Sequence, residues 1–468
     1  MFHSDSLGEW LSYLEALHPS EIELGLDRVL TVYRRLELGQ IARKTVIIGG
    51  TNGKGTTLFT LEQLLRSRGL SVGCYTSPHI TRFNERIRIN AEDVGDHVLL
   101  AAFKRVEQAR KSTSLTYFEF TTLAALVVFA EAGLDYVLLE VGLGGRLDAV
   151  NIADPDLSII TSVDLDHQDW LGDTRELIGY EKAGILRQGV PALYGEYDPP
   201  NSVTRQAFAQ SVPLMIWGED YGIEVVASQE ETESPGKPQF LKMNSGELIN
   251  LIADETSTDK PASHSVISFK SVLAERLKVT LDWAHLSVPV TNLATAIQAF
   301  LLLEGERASG VAEVLKVLPS VAGRFESNRG DSRFRFDVAH NRHAAHYLRG
   351  MVQLHRPKSK GNVVALFSAL RDKDISGIVE ELEDVITHWV TWALDSPRAA
   401  SASVLKEVLF TQHCRGIVVE DAMEAVQVGA ELAGNQGLIV VFGSFYTVSE
   451  VKAVLDQEEK GVERTKAK

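Results

Sequence analysis

The segment that most constrains the fold of this chain is a glycine-rich loop that directly follows an apolar run. Residues 46–48 are Val-Ile-Ile, and residues 49–57 read Gly-Gly-Thr-Asn-Gly-Lys-Gly-Thr-Thr. Glycines let backbone N–H groups converge on an anion, Lys54 adds a mobile positive charge, and the next helix begins with a partial positive charge. The pattern therefore predicts a strand, a phosphate-binding loop and a helix, with a nucleoside triphosphate as ligand.

The loop departs from the common phosphate-loop pattern at both of its ends. That pattern places Ser or Thr directly after the lysine and a glycine early in the loop. Here Gly55 follows the lysine, the hydroxyl group moves to Thr56, and Ile48 occupies the early glycine position. A plain turn between a strand and a helix is the alternative interpretation of the segment.

Length and charge limit the classes of protein to be considered. A chain of 468 residues is too long for one core, which favours two domains. Its net charge of −16 argues against nucleic acid or an anionic membrane as a partner. Two cysteines, an N-terminus without an apolar run and only short apolar stretches predict a soluble, cytoplasmic protein, and we expect a monomer.

Short apolar runs alternate with helical patterns through the N-terminal two thirds of the chain. Near-continuous apolar strands in such an alternation indicate an α/β fold with a parallel sheet covered on both faces. We therefore predict an N-terminal phosphate-loop domain that binds a mononucleotide, residues 1–321. Its predicted elements include strands at 45–49, 71–75, 135–140 and 157–161 and helices at about 56–68 and 118–132.

A second strand–helix alternation predicts a smaller Rossmann-like domain at residues 322–468. Five alternations in about 140 residues are typical of a doubly wound sheet. Between the two regular regions, residues 227–265 are predicted to be a surface insertion, part hairpin and part mobile loop, because little of the sequence is periodic. The C-terminal strands are predicted at 334–338, 363–367, 389–394, 417–419 and 438–442.

Two predicted strand ends in the N-terminal half carry side chains suited to a metal ion. Glu140 ends a strand near the phosphate loop, where a carboxylate commonly holds Mg²⁺; the alternative is a surface ion pair with Arg146. His167 follows the next strand and offers a neutral ring nitrogen, although a structural role is the alternative. Downstream, Lys182 beside Glu181 is best explained, from the residues alone, as a solvated helix lysine.

The first predicted strand of the C-terminal half is followed by Asp-Val-Ala-His-Asn at residues 337–341. The carboxyl ends of strands form the usual ligand crevice of an open α/β sheet. Asp337 is suited to ribose hydroxyl groups, and Arg324 and His340 to phosphate oxygens. Capping of a helix by Asp and Asn explains the same motif equally well.

Together these motifs resemble the folylpolyglutamate synthase/dihydrofolate synthase family, relatives of the Mur peptide ligases, over nearly the whole chain. The resemblance implies ATP-dependent ligation of glutamate to a pterin-linked carboxylate through an acyl phosphate. It points in particular to the bifunctional bacterial enzymes. The motifs that carry it are residues 10–15, 50–56, 76–88, 115–120, 140–148, 165–167, 181–185, 337–341 and 442–448.

The same resemblance implies roles for individual residues. ATP would be held by Gly53, Lys54, Gly55, Thr56, Asn292, Arg324 and Asp337. Two Mg²⁺ ions would be held by Ser77, Glu140 and His167, and the family often requires K⁺. Lys182 would carry a carbamate, and the catalytic set would be Lys54, Lys182 and His340. Dihydropteroate, reduced folate and L-glutamate would contact Arg82, Phe118, Asp164 and Ser444.

Two positions depart from the family pattern. Arg342 stands where the family usually has proline, and Asp164 stands where relatives commonly have a small residue near the pterin. An added carboxylate at position 164 would disfavour an anionic substrate unless it points away. Polyglutamylation without the dihydrofolate synthase activity is one alternative function, and a nucleotide switch without ligase activity is another.

Overall fold

The computed structural model of the chain describes residues 2–20, 22–226, 242–243, 246–247, 249, 266–271, 274–280, 288–305, 311–316, 318–357 and 361–466. Within these ranges the chain forms an eight-stranded sheet, a six-stranded sheet and a small antiparallel sheet. The predicted α/β class, with a large N-terminal parallel sheet and a smaller C-terminal one, is confirmed.

Eight strands form the N-terminal sheet. They are β1 (Lys44–Gly49), β2 (Val72–Tyr75), β3 (Ile87–Ile89), β4 (Glu92–Asp93), β5 (Tyr136–Glu140), β6 (Leu157–Ile160), β7 (Ala192–Tyr194) and β8 (Leu214–Ile216). Their order is β4–β3–β2–β5–β1–β6–β7–β8, and the six strands from β2 to β8 in this order are parallel. The short strands β3 and β4 extend the β2 edge in antiparallel fashion.

Helices bury both faces of this sheet. In β1, Ile47 packs in one apolar cluster, whereas Val46 and Ile48 pack in another on the opposite face. This alternation is why the strand is apolar at successive positions. The helices are α1 (Leu7–Glu15), α2 (Asp27–Leu36), α3 (Lys54–Arg66), α4 (Asp96–Arg110), α5 (Tyr117–Ala132), α6 (Gln168–Leu171), α7 (Arg175–Ala183) and α8 (Asn201–Ala209).

A small antiparallel sheet and two helices follow. The sheet contains β9 (Tyr221–Val226), β10 (Val266–Ser271) and β11 (Ala274–Thr280), and the helices are α9 (Val290–Glu304) and α10 (Val311–Lys316). The predicted insertion at 227–265 falls between β9 and β10. It lies outside the described residues except at 242–243, 246–247 and 249.

The C-terminal sheet contains six strands: β12 (Glu326–Ser327), β13 (Phe334–Phe336), β14 (Val363–Phe367), β15 (His388–Thr391), β16 (Gly416–Val418) and β17 (Leu438–Phe442). Their order is β12–β13–β17–β14–β15–β16; β12 pairs with β13 in antiparallel fashion, and all the other neighbouring strands are parallel. The accompanying helices are α11 (Arg342–Leu354), α12 (Ile375–Leu382), α13 (Ala402–Thr411), α14 (Ala422–Ala433) and α15 (Phe445–Lys466). Over the described ranges, no helix combines the length and apolarity needed to cross a bilayer.

Candidate active site

The phosphate loop joins β1 to α3 and contains two glycines in the left-handed region. Gly50 has a φ of 140° and Gly53 a φ of 84°. A Cβ atom on Gly50 would lie 1.9 Å from Thr161 Oγ1, so a larger residue would not fit. Lys54 begins α3, and its Nζ donates to the carbonyl oxygens of Gly50 at 3.0 Å and Thr51 at 3.3 Å. The ammonium group is thus held over the loop, where phosphate oxygens can replace these acceptors.

The first turn of α3 contains two buried hydroxyl groups without a hydrogen-bond partner in the described structure. These are Thr56 Oγ1 and Thr57 Oγ1. Leaving a buried polar group unsatisfied costs about 1–3 kcal/mol, so a ligand at the helix start would supply the missing bonds. A Cβ atom on Gly55 would lie 3.6 Å from Glu140 Oε2, so the start of the helix lies directly beside that carboxylate. These features fit a metal–nucleotide complex.

Glu140 ends β5 as predicted, and its carboxylate is buried at the edge of the phosphate loop. The Ser77 N–H donates to Glu140 Oε2 at 3.2 Å, which brings two of the predicted metal ligands together. Burial raises the pKa of Glu140, while the charge of Lys54 opposes this rise. The alternative ion pair with Arg146 is wrong, because Arg146 Nη2 contacts Glu181 Oε1 at 2.9 Å.

Within the described ranges, no three His, Cys, Asp or Glu side chains form a ready-made metal centre. Mg²⁺ usually binds proteins through one or two carboxylates, with water and substrate phosphates as the remaining ligands. The pairing of Ser77 with Glu140 beside the phosphate loop is therefore suited to Mg²⁺ bound together with a nucleotide.

His167 directly precedes the short helix α6 and adopts the left-handed conformation, with a φ of 50°. Burial lowers its pKa to about 4, against the opposing effect of Asp166, so its ring is neutral at pH 7 and can ligate a metal. Asp166 was not among the predicted site residues, yet it joins the two parallel sheets. Its Oδ1 lies 2.7 Å from Lys373 Nζ and its Oδ2 lies 3.6 Å from His340 Nε2.

The charges around Asp166 act on its own ionisation. Burial alone would raise the pKa of this carboxyl group, but His340, His167 and Lys373 together hold it well below its usual range. Asp166 is therefore an anion, and it lies beside Nε2 of the candidate catalytic residue His340. The same histidine bonds through Nδ1 to the carbonyl oxygen of Val338 at 2.8 Å.

Lys182 is buried on α7, with only 4% of its surface exposed. Its interpretation as a solvated lysine is therefore wrong. Burial, with the charge of Lys54 adding to its effect, lowers its pKa to about 7. The carboxyl group of Asp148 is also buried, which raises its pKa to about 6, although it accepts hydrogen bonds from the N–H groups of Leu143 at 2.8 Å and Val150 at 2.9 Å.

Among the residues predicted to contact a nucleotide, Asn292 lies directly against the phosphate loop. A Cβ atom on Gly53 would lie 2.2 Å from Asn292 Nδ2. In the C-terminal half, Asp337 is buried and accepts hydrogen bonds from the N–H groups of Phe325 at 2.9 Å and Ala339 at 2.8 Å. Burial raises the pKa of Asp337, while the charge of Arg324 opposes the rise.

The predicted residues Arg324 and Ser444 flank Phe445, the first residue of α15. The Arg324 guanidinium lies 6.0 Å from the Phe445 ring centroid. Ser444 is buried, and its Oγ accepts a hydrogen bond from the Thr447 N–H at 3.0 Å. The serine therefore caps α15 in addition to any contact with a substrate.

Phe118 and Arg82 occupy different environments. Phe118 lies in the first turn of α5 and packs over the loop after β5, because a Cβ atom on Gly142 would be 2.6 Å from Phe118 Cζ. Arg82 is largely exposed, and its Nη2 lies 3.5 Å from both Asn84 Oδ1 and Asp96 Oδ1. The contacts in the described part of the chain thus bring Phe118, but not Arg82, to the Glu140 region.

A second set of contacts between the two sheets was also missing from the sequence prediction. Asn52 of the phosphate loop exchanges two hydrogen bonds with Asn341, at 3.2 and 3.0 Å, and its Nδ2 also donates to His343 Nδ1 at 3.0 Å. His343 Nε2 in turn lies 3.6 Å from Glu196 Oε1. Burial raises the pKa of Glu196 to about 8, with Asp198 adding to the rise.

The comparison with known protein families agrees with this geometry. The Mur ligase middle domain matches residues 48–194, and the Mur ligase glutamate ligase domain matches residues 323–445. The fold and the phosphate loop thus define a ligase of the Mur class. The dihydrofolate synthase/folylpolyglutamate synthase of Escherichia coli is 38% identical over 460 residues, which are 97% of this chain and 97% of that protein. The chain belongs to the dihydrofolate synthase/folylpolyglutamate synthase family.

Solved structures of relatives have the same fold over nearly their whole length. E. coli FolC in complex with DHPP and ADP is 36% identical with a TM-score of 0.83, covering 98% of this chain and 100% of that one. A bifunctional folylpolyglutamate synthase/dihydrofolate synthase with Mn, AMPPNP and L-glutamate bound is also 36% identical. Its TM-score is 0.80, and the match covers 96% of this chain and 98% of that one.

Proposed function

We propose that this protein ligates L-glutamate to dihydropteroate, giving dihydrofolate, and to the γ-carboxylate of reduced folates. The observation that carries the proposal is the phosphate loop itself: the start of α3 contains two buried hydroxyl groups without a partner among the described residues, and Gly55 lies against the Glu140 carboxylate. Relatives of the same family have been solved with DHPP and ADP, and with Mn, AMPPNP and L-glutamate.

We assign the nucleotide to both sheets. Lys54, Gly55 and Thr56 would hold the phosphates, with Gly53 and Asn292 closing the loop beside them. On the C-terminal side, Asp337 would bind the ribose and Arg324 the phosphates. We also propose that residues 1–321 and 322–468 are the two domains that carry these half-sites.

Ser77 and Glu140 would hold one Mg²⁺, and Glu140 with His167 would hold a second. When bound, Mg²⁺ supplies positive charge that offsets the charge developing on the transferred phosphoryl group. Lys54 offsets the same charge from the protein side. The family also suggests a K⁺ ion, for which we assign no ligands.

The substrate carboxylate must be activated before it can form an amide, because direct attack by an amine would have to expel an oxide ion. One substrate carboxylate oxygen attacks the γ-phosphorus of ATP, the bond to the bridging oxygen breaks, and ADP leaves. The glutamate amine nitrogen then attacks the acyl carbon of the acyl phosphate, inorganic phosphate leaves, and the nitrogen loses a proton. Water must be excluded while the acyl phosphate exists.

Lys182 is suited to carbamate formation because burial lowers its pKa to about 7, so that much of the amine is neutral at physiological pH. A neutral amine attacks CO₂ and releases one proton, which turns a buried cation into an anion. We propose that this anion lies opposite Lys54, whose charge already acts on Lys182.

The substrates would occupy the remaining candidate residues. We propose that Phe118 and Asp164 contact the pterin portion and that His340 and Ser444 contact L-glutamate. Arg82 would contact the folate only if its exposed side chain moves inward. We further propose that the protein acts as a cytoplasmic monomer on small molecules, without a nucleic-acid or membrane partner.

The deciding experiment measures ATP-dependent phosphate release and amide product with dihydropteroate and, separately, with tetrahydrofolate. The proposal expects product from both substrates, with Lys54→Met inactive and Lys104→Met, a change on the exposed face of α4, fully active. Product from tetrahydrofolate alone would restrict the protein to polyglutamylation. Nucleotide binding without any amide product would favour the nucleotide switch instead.

A further inference from the structure

One apolar side chain of the N-terminal half packs in the core of the C-terminal sheet. Ile80 is 8% exposed and belongs to an apolar cluster in which every other buried member lies between residues 334 and 455. These partners include Phe334, Phe336 and Val338, on and just after β13. Ile80 therefore links the loop after β2 to the opposite sheet.

The position that receives Ile80 is shaped by a glycine. Gly323 has a φ of 65°, and a Cβ atom there would lie 2.9 Å from Ile80 Cδ1 and 2.8 Å from Val338 Cγ1. The carbonyl oxygen of Gly323 accepts a hydrogen bond from the Val338 N–H at 3.0 Å. The turn that immediately precedes Arg324 therefore forms part of the surface against which Ile80 packs.

The loop that carries Ile80 is held firmly on its own side. The Glu85 carboxylate accepts hydrogen bonds from three successive backbone N–H groups, at 2.8 Å from Ile80, 2.8 Å from Thr81 and 2.7 Å from Arg82. Three residues upstream, the Ser77 N–H bonds to Glu140. A displacement of Ile80 therefore strains a short segment that ends at a candidate metal ligand.

We propose that Ile80 is a positioning residue for the nucleotide site. Its side chain holds Arg324, in the C-terminal half, at a fixed distance from Ser77 and Glu140 in the N-terminal half. The inference rests on the proposed function in taking a nucleotide as the ligand. Ile80 itself touches no reacting group. Its side chain fixes the distance between two loops that each contribute a ligand to the same nucleotide.

The expected consequence is a change in affinity. A ligand binds with reduced apparent affinity when its binding-competent arrangement is only partly populated. Removing the apolar side chain at position 80 weakens the contact that favours this arrangement. We expect Ile80→Ala to weaken nucleotide binding about tenfold, a change typical of losing a buried aliphatic group from a docking contact.

The test is a titration of the purified full chain with AMPPNP in the presence of Mg²⁺. The graded series consists of Ile80→Ala, Ile80→Val and Ile80→Leu. Ile80→Val should bind AMPPNP more tightly than Ile80→Ala, and Ile80→Leu should bind it with wild-type affinity. Leu455→Ala is the matched control, because Leu455 is 9% exposed in the same cluster and lies on α15. That control should lower the melting temperature without changing nucleotide affinity.

Two results would overturn the inference: nucleotide binding by Ile80→Ala within twofold of wild type, or equal weakening by Leu455→Ala. If Ile80→Ala does not fold, the order of Val and Leu decides the matter in the same way. Binding is measured without a folate or glutamate, so it reports on Ile80 even where the wild type forms no amide. Failure of the proposed ligation therefore remains distinct from failure of this inference.

Discussion

Replacing Lys182 with methionine is expected to stabilise the fold near neutral pH while abolishing ligation. The lysine is 4% exposed, and burial lowers its pKa from 10.5 to about 7. One pKa unit corresponds to 1.36 kcal/mol, so the buried charge costs the folded state about 5 kcal/mol. Methionine preserves much of the apolar chain and removes that cost.

The sign of the pH dependence follows from proton binding. Between pH 7 and 10.5 the unfolded chain binds a proton at Lys182 that the folded chain does not bind, so the free energy of unfolding rises with pH. Below pH 7 both states are protonated and the full cost is present; above 10.5 neither state is charged. From pH 7 to pH 9 the wild type should gain about 2 kcal/mol relative to Lys182→Met.

The assay is urea unfolding of wild type and Lys182→Met at pH 7, 8 and 9 in CO₂-free buffer. Lys104→Met is the control, since that lysine is exposed on α4 and should show no pH-dependent difference. Unfolding free energies that change in parallel for wild type and Lys182→Met would refute the reasoning. In bicarbonate, carbamate formation should raise wild-type activity and leave Lys182→Met inactive; unchanged wild-type activity would refute the carbamate.

Three further changes test the contacts between the sheets. Lys373→Ala removes the lysine that pairs with Asp166, whose side chain is 10% exposed, and should lower the free energy of unfolding in urea by about 3–5 kcal/mol. The double variant that also carries Asp166→Asn should regain most of that stability. Because burial raises the Glu196 pKa from 4.5 to about 8, the free energy of unfolding of the wild type should fall by about 3 kcal/mol between pH 5 and 8. Glu196→Gln should not show this fall, and an equal pH dependence of the unfolding free energy in both proteins would contradict the prediction. Asn341→Asp keeps the cap of α11 but loses the hydrogen bond that Asn341 donates to Asn52, so AMPPNP binding should weaken while the melting temperature stays unchanged. Asn341→Ala removes the cap as well and should lower both the affinity for AMPPNP and the melting temperature.

Some of the site was predictable because parallel sheets obey a simple rule. The carboxyl ends of their strands meet at one edge, so a carboxylate at the end of β5 was expected beside the phosphate loop that follows β1, and Glu140 lies there. Long apolar strands were equally clear: β14 and β17 coincide with the predicted 363–367 and 438–442. The short strands β3 and β4 were missed because neither contains a continuous apolar run, whereas the three-residue strands β13 and β16 overlap the predicted 334–338 and 417–419.

Contacts between the sheets could not be predicted in the same way. Asp166 and Lys373 lie 207 positions apart, and their pairing depends on how the two sheets dock rather than on any local pattern. The sequence did contain a signal, because Asp166 lies in the motif at 165–167 and Lys373 lies between Asp372 and Asp374. A motif identifies such residues as candidates, but only the docked arrangement reveals that they meet.

The carboxylate at position 164 shows how the docked arrangement changes the interpretation of a single residue. From the sequence, Asp164 was expected to disfavour an anionic substrate unless its side chain pointed away. Its Oδ1 accepts a hydrogen bond from the Leu165 N–H at 2.8 Å. Burial raises the pKa of the nearby Glu196 to about 8, and the charges of Asp198 and Asp164 add to the rise. Since Glu196 is mostly protonated at pH 7, the region contains one carboxylate charge fewer than the two side chains suggest. The negative charge of Asp164 thus lies near a mostly neutral Glu196, and an anionic substrate at the proposed pterin site would meet less repulsion than two ionised carboxylates would cause.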